Sequence, residues 1–253
     1  MATQIGVHSI GFTATDALGA TTTASVPVDV ESGDPVVTRI VNAASHAAEA
    51  ACSPGALAMI EGRWLTEDTG TKVWANGNAT QIISASPTGL TILCPDSAPG
   101  TELQFAVQTA RGVANPLSTT LQYATPGIFT LDGTGTGQGA IVLEGTSDVA
   151  MVRNRQVAGQ PAMPGDRIQV FATGIDRLND VTVQIGQVPV AAQSIDAVVN
   201  LPGLYRVVLT VPDAVSKDGD VSLWLAGNSP DGATSRSNAV SVVLEMVKGE
   251  VPR

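Results

Sequence analysis

The sequence is short of the residues that most often carry chemistry. Two cysteines and two histidines in 253 residues are a thin supply for a Cys/His zinc site of the usual four ligands, and no metal site is expected. The same low cysteine density excludes a disulfide-framed miniprotein. Charged residues make up only 14% of the chain and aromatics 4%, against 43% hydrophobic residues, which is the wrong balance for a disordered polypeptide. No window approaches the roughly 18 consecutive apolar residues of a membrane span. Cations are the scarcer charge, with 13 Lys+Arg against 23 Asp+Glu and a net charge of -10. Such a surface repels phosphate backbones and anionic lipid heads, so no nucleic-acid partner and no membrane insertion are expected. Met1-Ala2-Thr3-Gln4 also lacks the basic and apolar regions of a secretory leader. Export is therefore expected only with a leader upstream of Met1.

What the chain has is strand. Short runs rich in Val, Ile, Thr and Leu, such as Val181-Thr182-Val183-Gln184-Ile185 and Tyr205 to Val211, alternate with clusters of Gly, Pro, Asn, Asp and Ser, the punctuation of an all-β sandwich. Ala43 to Ala51 has helix-like composition but no apolar stripe, and reads as a loop with at most one helical turn. Near the start, Ile10 to Thr15 and Thr21 to Val30 flank Asp16-Ala17-Leu18-Gly19-Ala20, two strands around a turn. This pair resembles the closing hairpin of a bacterial immunoglobulin-like or cadherin-like repeat. Two strands cannot make a sandwich alone. The hairpin is read as the end of a preceding domain, or else as packing on the next domain or a neighbouring chain. Glu31-Ser32-Gly33-Asp34-Pro35 reads as a linker.

The remainder carries a degenerate duplication. Pro54-Gly55, a strand and Gly62 match Pro164-Gly165, a strand and Gly174. Val73-Trp74-Ala75-Asn76-Gly77 matches Val183-Gln184-Ile185-Gly186, Leu90 to Pro95 matches Val207 to Pro212, and Asn115-Pro116-Leu117-Ser118 matches Asn238-Ala239-Val240-Ser241. Four landmarks in one order predict two similar sandwiches, over 35–124 and 125–247, after a terminal hairpin and linker in 1–34 and before a tail in 248–253. The duplication aligns Cys52 with Ala162 and Cys94 with Val211. Two cysteines replaced together by two apolar residues predict a Cys52–Cys94 disulfide across one core, with buried free thiols or a Cys52–His46 thiolate-imidazole pair as the alternatives. The disulfide favours an oxidising compartment.

The order Ile40-Val41-Asn42-Ala43-Ala44-Ser45, Cys52-Ser53-Pro54-Gly55, Leu93-Cys94-Pro95, Pro126-Gly127-Ile128-Phe129-Thr130, Gly137-Gln138-Gly139-Ala140-Ile141, Pro164-Gly165-Asp166 and Ala172-Thr173-Gly174 resembles the Solibacter-type C-terminal domain family. The likeness covers about residues 36 to 245. It implies paired immunoglobulin-like, IPT/TIG-like modules from large exported bacterial proteins, an extracellular or cell-surface setting, and no known reaction. The family often carries a Pro-rich loop after the second Thr-Gly; Ile175 to Asp180 is short, and no role of that loop is carried over.

Hydrolase signatures are missing: there is no Gly-x-Ser-x-Gly and no His-Glu-x-x-His. The Gly-rich Asp132 to Gly139 lacks the Lys-Ser/Thr ending and the helix of a phosphate loop and reads as a flexible hairpin loop. Ser216-Lys217-Asp218-Gly219-Asp220 and Ser229-Pro230-Asp231-Gly232 fall short of calcium's six to eight oxygens and read as Asp-Gly turns. No cofactor is expected. Of the three tryptophans, strand alternation turns Trp74 and Trp224 away from the neighbouring apolar positions, which makes them the candidate ligand-binding residues, with edge-covering or inter-module packing as the common alternative. The expected function is a non-enzymatic adhesion, spacer or interaction module within a longer surface protein, its ligand a glycan or a protein; the alternative is a carbohydrate-binding accessory module of a secreted enzyme.

Overall fold

The computed structural model describes residues 6–30, 33–66, 70–153, 157–215 and 218–246. The sequence readings at Met1 to Gln4, Glu31-Ser32, Ser216-Lys217 and the 248–253 tail lie outside them. The described residues form β-strands and connecting turns with no helix, so the chain is all-β. It is built as two tandem immunoglobulin-like sandwiches preceded by a hairpin.

In the first sandwich one sheet runs Val36–Asn42, Leu57–Arg63, Gly89–Leu93, Ile82–Ser86, and the other is centred on Glu102–Thr109, which pairs with Lys72–Ala75, Gly112–Val113 and Leu117–Thr120. Asn78–Thr80 closes that second sheet as its edge beside Lys72–Ala75. The second sandwich repeats the order. Ile141–Leu143, Arg167–Thr173, Tyr205–Thr210 and Ser194–Ala197 lie side by side, and Val188–Ala191, Asn179–Ile185 and Gly219–Asn228 form the facing sheet. Strand alternation decides which side chains meet. In Glu102–Thr109 Leu103, Phe105, Val107 and Thr109 point inward and Glu102, Gln104 and Gln108 face solvent, the period-2 pattern of a half-buried strand. Ile60, Leu90, Ile92 and Phe105 fill the first core and Ile168, Val170, Val183, Ile185 and Leu223 the second, each such side chain contributing about 1.5–3 kcal/mol on burial.

The duplication is visible in hydrogen bonds as well as in strand order. Gly55 N donates to Cys94 O at 3.2 Å and Gly165 N to Val211 O at 2.8 Å; Gln122 N donates to Cys52 O at 2.8 Å and Glu245 N to Ala162 O at 2.9 Å. The copies part at their first strand. In the first sandwich Val36–Asn42 crosses its partner with a bulge between Val37 and Arg39. In the second, the strand leaves the sheet after Gly127–Ile128 and rejoins it at Ile141–Leu143, so the Gly-rich loop is an insertion at the bulge position. Phe129 N donates to Phe171 O and Phe171 N to Ala140 O, closing the sheet beneath the loop.

The hairpin Gly6–Thr15 and Thr21–Val30 is in register over its whole length, and Asp16 Oδ1 accepts from Leu18 N and Ala20 N to make the turn. One face carries His8, Ile10, Phe12 and Ala14 opposite Val28, Val26, Ala24 and Thr22, yet Phe12 is 57% exposed and Leu18 95%. A two-stranded ribbon with an uncovered apolar face is at most marginally stable. Hydrogen exchange is expected to label the hairpin amides far faster than those of Leu57–Arg63 and Arg167–Thr173. Equal protection would mean that the face is covered in solution.

Candidate functional site

The sulfurs of Cys52 and Cys94 are bonded, with Cα atoms 5.8 Å apart, and both residues are buried. This removes the thiolate-imidazole alternative, because Cys52 has no free sulfur. His46 instead sets Nδ1 3.3 Å from Glu61 Oε1, and Glu61 also accepts from Arg39 Nε at 2.6 Å. Burial works to raise the Glu61 carboxyl, but the hydrogen bonds and charge of Arg39, with His46, outweigh it and hold the group below its usual range. The cluster is a surface charge network. Ala162 and Val211 occupy the equivalent places in the second core and are equally buried.

The most extensively built region is the seam between the sandwiches. Thr173 ends the strand Arg167–Thr173 and is fully buried. Its Oγ1 accepts from Leu57 N of the first sandwich at 2.8 Å and donates to Gly203 O at 2.7 Å. Asn42, also fully buried, donates from Nδ2 to Thr125 O at 2.8 Å, while its Oδ1 accepts from Ala44 N and Ser45 N. Ser53 and Thr125 share a hydroxyl contact of 2.9 Å, and Arg177 reaches Asp96 at the rim at 2.6 Å. Burying polar groups costs little only when each finds a partner; here Thr173 and Asn42 find partners both within their own sandwich and across the boundary. Beside Gly55, crowding at the seam raises the Asp176 carboxyl above its usual range.

One sequence expectation needs correction at this seam. The Gly-rich loop is not a free hairpin loop. Gly135, at φ 77°, is buried, its N–H donates to Thr130 Oγ1 and its carbonyl accepts from Asn238 Nδ2. A Cβ on Gly135 would stand 2.6 Å from Ser45 O, so the loop is clasped against the first sandwich. The Ala-rich stretch is a loop with one helical turn, His46 N donating to Asn42 O at 3.0 Å, and it supplies buried Ala43 and Ala44 to the neighbourhood of that clasp.

The tryptophans fall into three situations. Trp74 pairs across its strand with Ala79 on one side and Ala106 on the other, so no bulky neighbour flanks it, and it lines a cavity of about 230 Å³ with Lys72, Thr80 and Ile82. Trp224 pairs with Gln184, and the Arg236 guanidinium lies over its ring at 3.7 Å, a cation–π stack that occupies one aromatic face. Trp64, at φ 54°, lies against Gly33, where an added Cβ would come within 2.8 Å of the ring. Strand alternation placed Trp74 and Trp224 on outer faces, but Arg236, Asn42, Thr125 and Thr173 carried no signal of their own in the sequence. The acidic turn at Ser229 to Gly232 closes on itself, with Asp231 Oδ1 accepting from Ala233 N. Among the described residues no three His, Cys, Asp or Glu side chains are placed to hold a metal, and no helix is long and apolar enough to cross a membrane.

No family model and no curated protein matches the chain. Solved structures with partial likeness include SGBP-B of the Bacteroides ovatus mixed-linkage glucan utilization locus in complex with a mixed-linkage heptasaccharide, 15% identical over 94% of this chain and 54% of its own, at TM-score 0.41. A second SGBP-B, from a complex xyloglucan utilization locus in Bacteroides uniformis, is 13% identical over 83% of this chain and 49% of its own, at TM-score 0.28. The titin Ig tandem domains are 11% identical over 86% of this chain and 100% of their own, at TM-score 0.26. The chain thus spans about half the length of the two SGBP-B proteins.

Proposed function

We propose that the chain is a non-enzymatic module of an exported surface protein, in which two IPT/TIG-like sandwiches of the Solibacter-type C-terminal family act as one rigid unit that holds neighbouring domains or a ligand at fixed spacing. The observation that carries this reading is the buried polar seam: Thr173, Asn42 and Thr125 each make a hydrogen bond across the boundary, where a flexible linker would leave these groups to water. The disulfide supports an oxidising compartment. The exposed apolar face of the hairpin supports its reading as the closing strands of a further immunoglobulin-like repeat. A second reading, a carbohydrate-binding accessory module, is favoured by Trp74, whose cross-strand neighbours are both alanines and which lines a surface cavity.

Small-angle scattering of the full chain tests the main reading. A distance distribution that stays unchanged with temperature up to the unfolding transition, together with no turnover of chromogenic ester, phosphate and glycoside substrates, is the expected result. Interdomain spread in the native range would remove the rigid-unit reading, and measurable turnover the non-enzymatic one.

A further inference from the structure

We infer that the open edge of the first sandwich, on both sides of the strand Asn78–Thr80, is a binding groove for a neutral oligosaccharide, with Trp74 as its stacking platform. The inference rests on the reading of the chain as a non-enzymatic binding module. Ala79 and Thr80 line two cavities at once: the one of about 230 Å³ that holds Trp74 and Lys72, and one of about 410 Å³ that extends past Asn78 and Gln81 to Asp96 and Ser97. The two cavities adjoin at these shared residues of the edge strand. Trp74, half-buried, borders the smaller cavity, with alanine as its cross-strand neighbour on both sides.

The lining chemistry selects the ligand class. Asn78 and Gln81 are exposed, and their side-chain amides have no hydrogen-bond partner among the described residues; each offers a donor pair and an acceptor to a ligand's hydroxyls. Thr80 and Ser97 add hydroxyls, whereas Asn76 is already committed, donating to Glu102 O and accepting from Gln104 N. An aromatic face followed by unpaired amides and hydroxyls matches a chain of sugar rings, whose C–H faces stack and whose rims hydrogen-bond. The groove holds one ammonium, Lys72, and one carboxylate, Asp96, already ion-paired with Arg177, within a chain of net charge -10. That field disfavours acidic glycans.

The duplication supplies an internal control. The equivalent edge of the second sandwich, at Val188–Ala191, also borders an open cavity, of about 520 Å³, but it is lined by Asp180, Thr182, Gln193 and Ser194 among aliphatic residues, with no aromatic. Gln184 stands at the place of Trp74, and the tryptophan of that cross-strand pair, Trp224, is covered by Arg236. The platform belongs to the first copy alone.

Affinity electrophoresis of the full chain through gels containing a soluble β-glucan, xylan, mannan or α-glucan, with polygalacturonate as the charged control, tests the groove. At least one neutral polysaccharide is expected to retard the protein and polygalacturonate is not. Trp74→Ala should weaken the retention tenfold or more, while Trp224→Ala leaves it within about twofold. The paired variant Asn78→Ala/Gln81→Ala, on an exposed edge, should weaken it as well, and it decides the matter if Trp74→Ala fails to fold. No retardation by any of the four, retention unchanged in the variants, or loss confined to Trp224→Ala would overturn the inference. Those results leave the rigid-module reading standing, since scattering and turnover decide it separately; release of sugars from a retained polysaccharide would instead overturn the non-enzymatic reading.

Discussion

Removing the Cys52–Cys94 bond is expected to cost the first sandwich about 4 kcal/mol, the chain-entropy figure for closing a loop of this size, the two cysteines being 42 residues apart. Domains of this kind are stable by only about 5–15 kcal/mol, so the loss is a large share of the total. The second sandwich shows how the same site is filled without a bond. Ala162 and Val211 sit at 0% and 1% exposure in the backbone frame that Cys52 and Cys94 occupy at 0% and 2%. Cys52→Ala/Cys94→Val, which copies that pair, should therefore lose little beyond the cross-link. Cys52→Ser/Cys94→Ser should lose more, because each buried hydroxyl needs a partner or costs about 1–3 kcal/mol. Denaturant unfolding of the three proteins should rank them wild type, Ala/Val, Ser/Ser in falling order. A wild type no more stable than the Ala/Val variant would show that the bond contributes nothing, and a mass spectrum of unreduced peptides showing both thiols free would show that it is not made.

That the two copies exchange a cystine for an alanine and a valine is what makes the pairing legible in the sequence. The same register argument found the strands: period-2 alternation and recurring Pro-Gly turns are local signals, and each copy checks the other. The seam left no such trace. Thr173 reads in the sequence as the Thr of a strand-ending Ala-Thr-Gly, and only the meeting of two sandwiches gives its hydroxyl the Leu57 amide to accept from. The clasp of the Gly-rich loop is illegible in the sequence for a related reason: glycines predict freedom locally, whereas a Cβ on Gly135 would meet Ser45 O of the other sandwich. For Trp224 the missing piece was the pairing of Ala226 with Arg236, a contact between strands that fixes where the guanidinium falls but follows no sequence spacing.

Breaking the seam is the second large effect, and it separates stability from rigidity. Thr173→Val keeps shape and volume but leaves Leu57 N and Gly203 O without the partner they now have. A buried donor stranded in this way costs about 1–3 kcal/mol. Asn42→Ala removes a second link, to Thr125 O, together with the two amides its Oδ1 accepts from, at a further cost of similar size. The double variant is thus expected to lose on the order of 4 kcal/mol, and with it both of these bonds that cross the boundary, Leu57 N to Thr173 and Asn42 to Thr125 O. Calorimetry should show one cooperative endotherm for the wild type and two for the double variant. Scattering should show a wider spread of interdomain distances at temperatures where both sandwiches remain folded. Gly203→Val reaches the same seam by bulk: Gly203 sits at φ 81°, where a side chain is strained, and its Cβ would stand 2.9 Å from Gly55 O and from the Leu57 and Leu93 side chains. A single unshifted endotherm in the double variant and in Gly203→Val would mean that the sandwiches are held together by the chain connection alone, and the rigid-unit reading would fall with it.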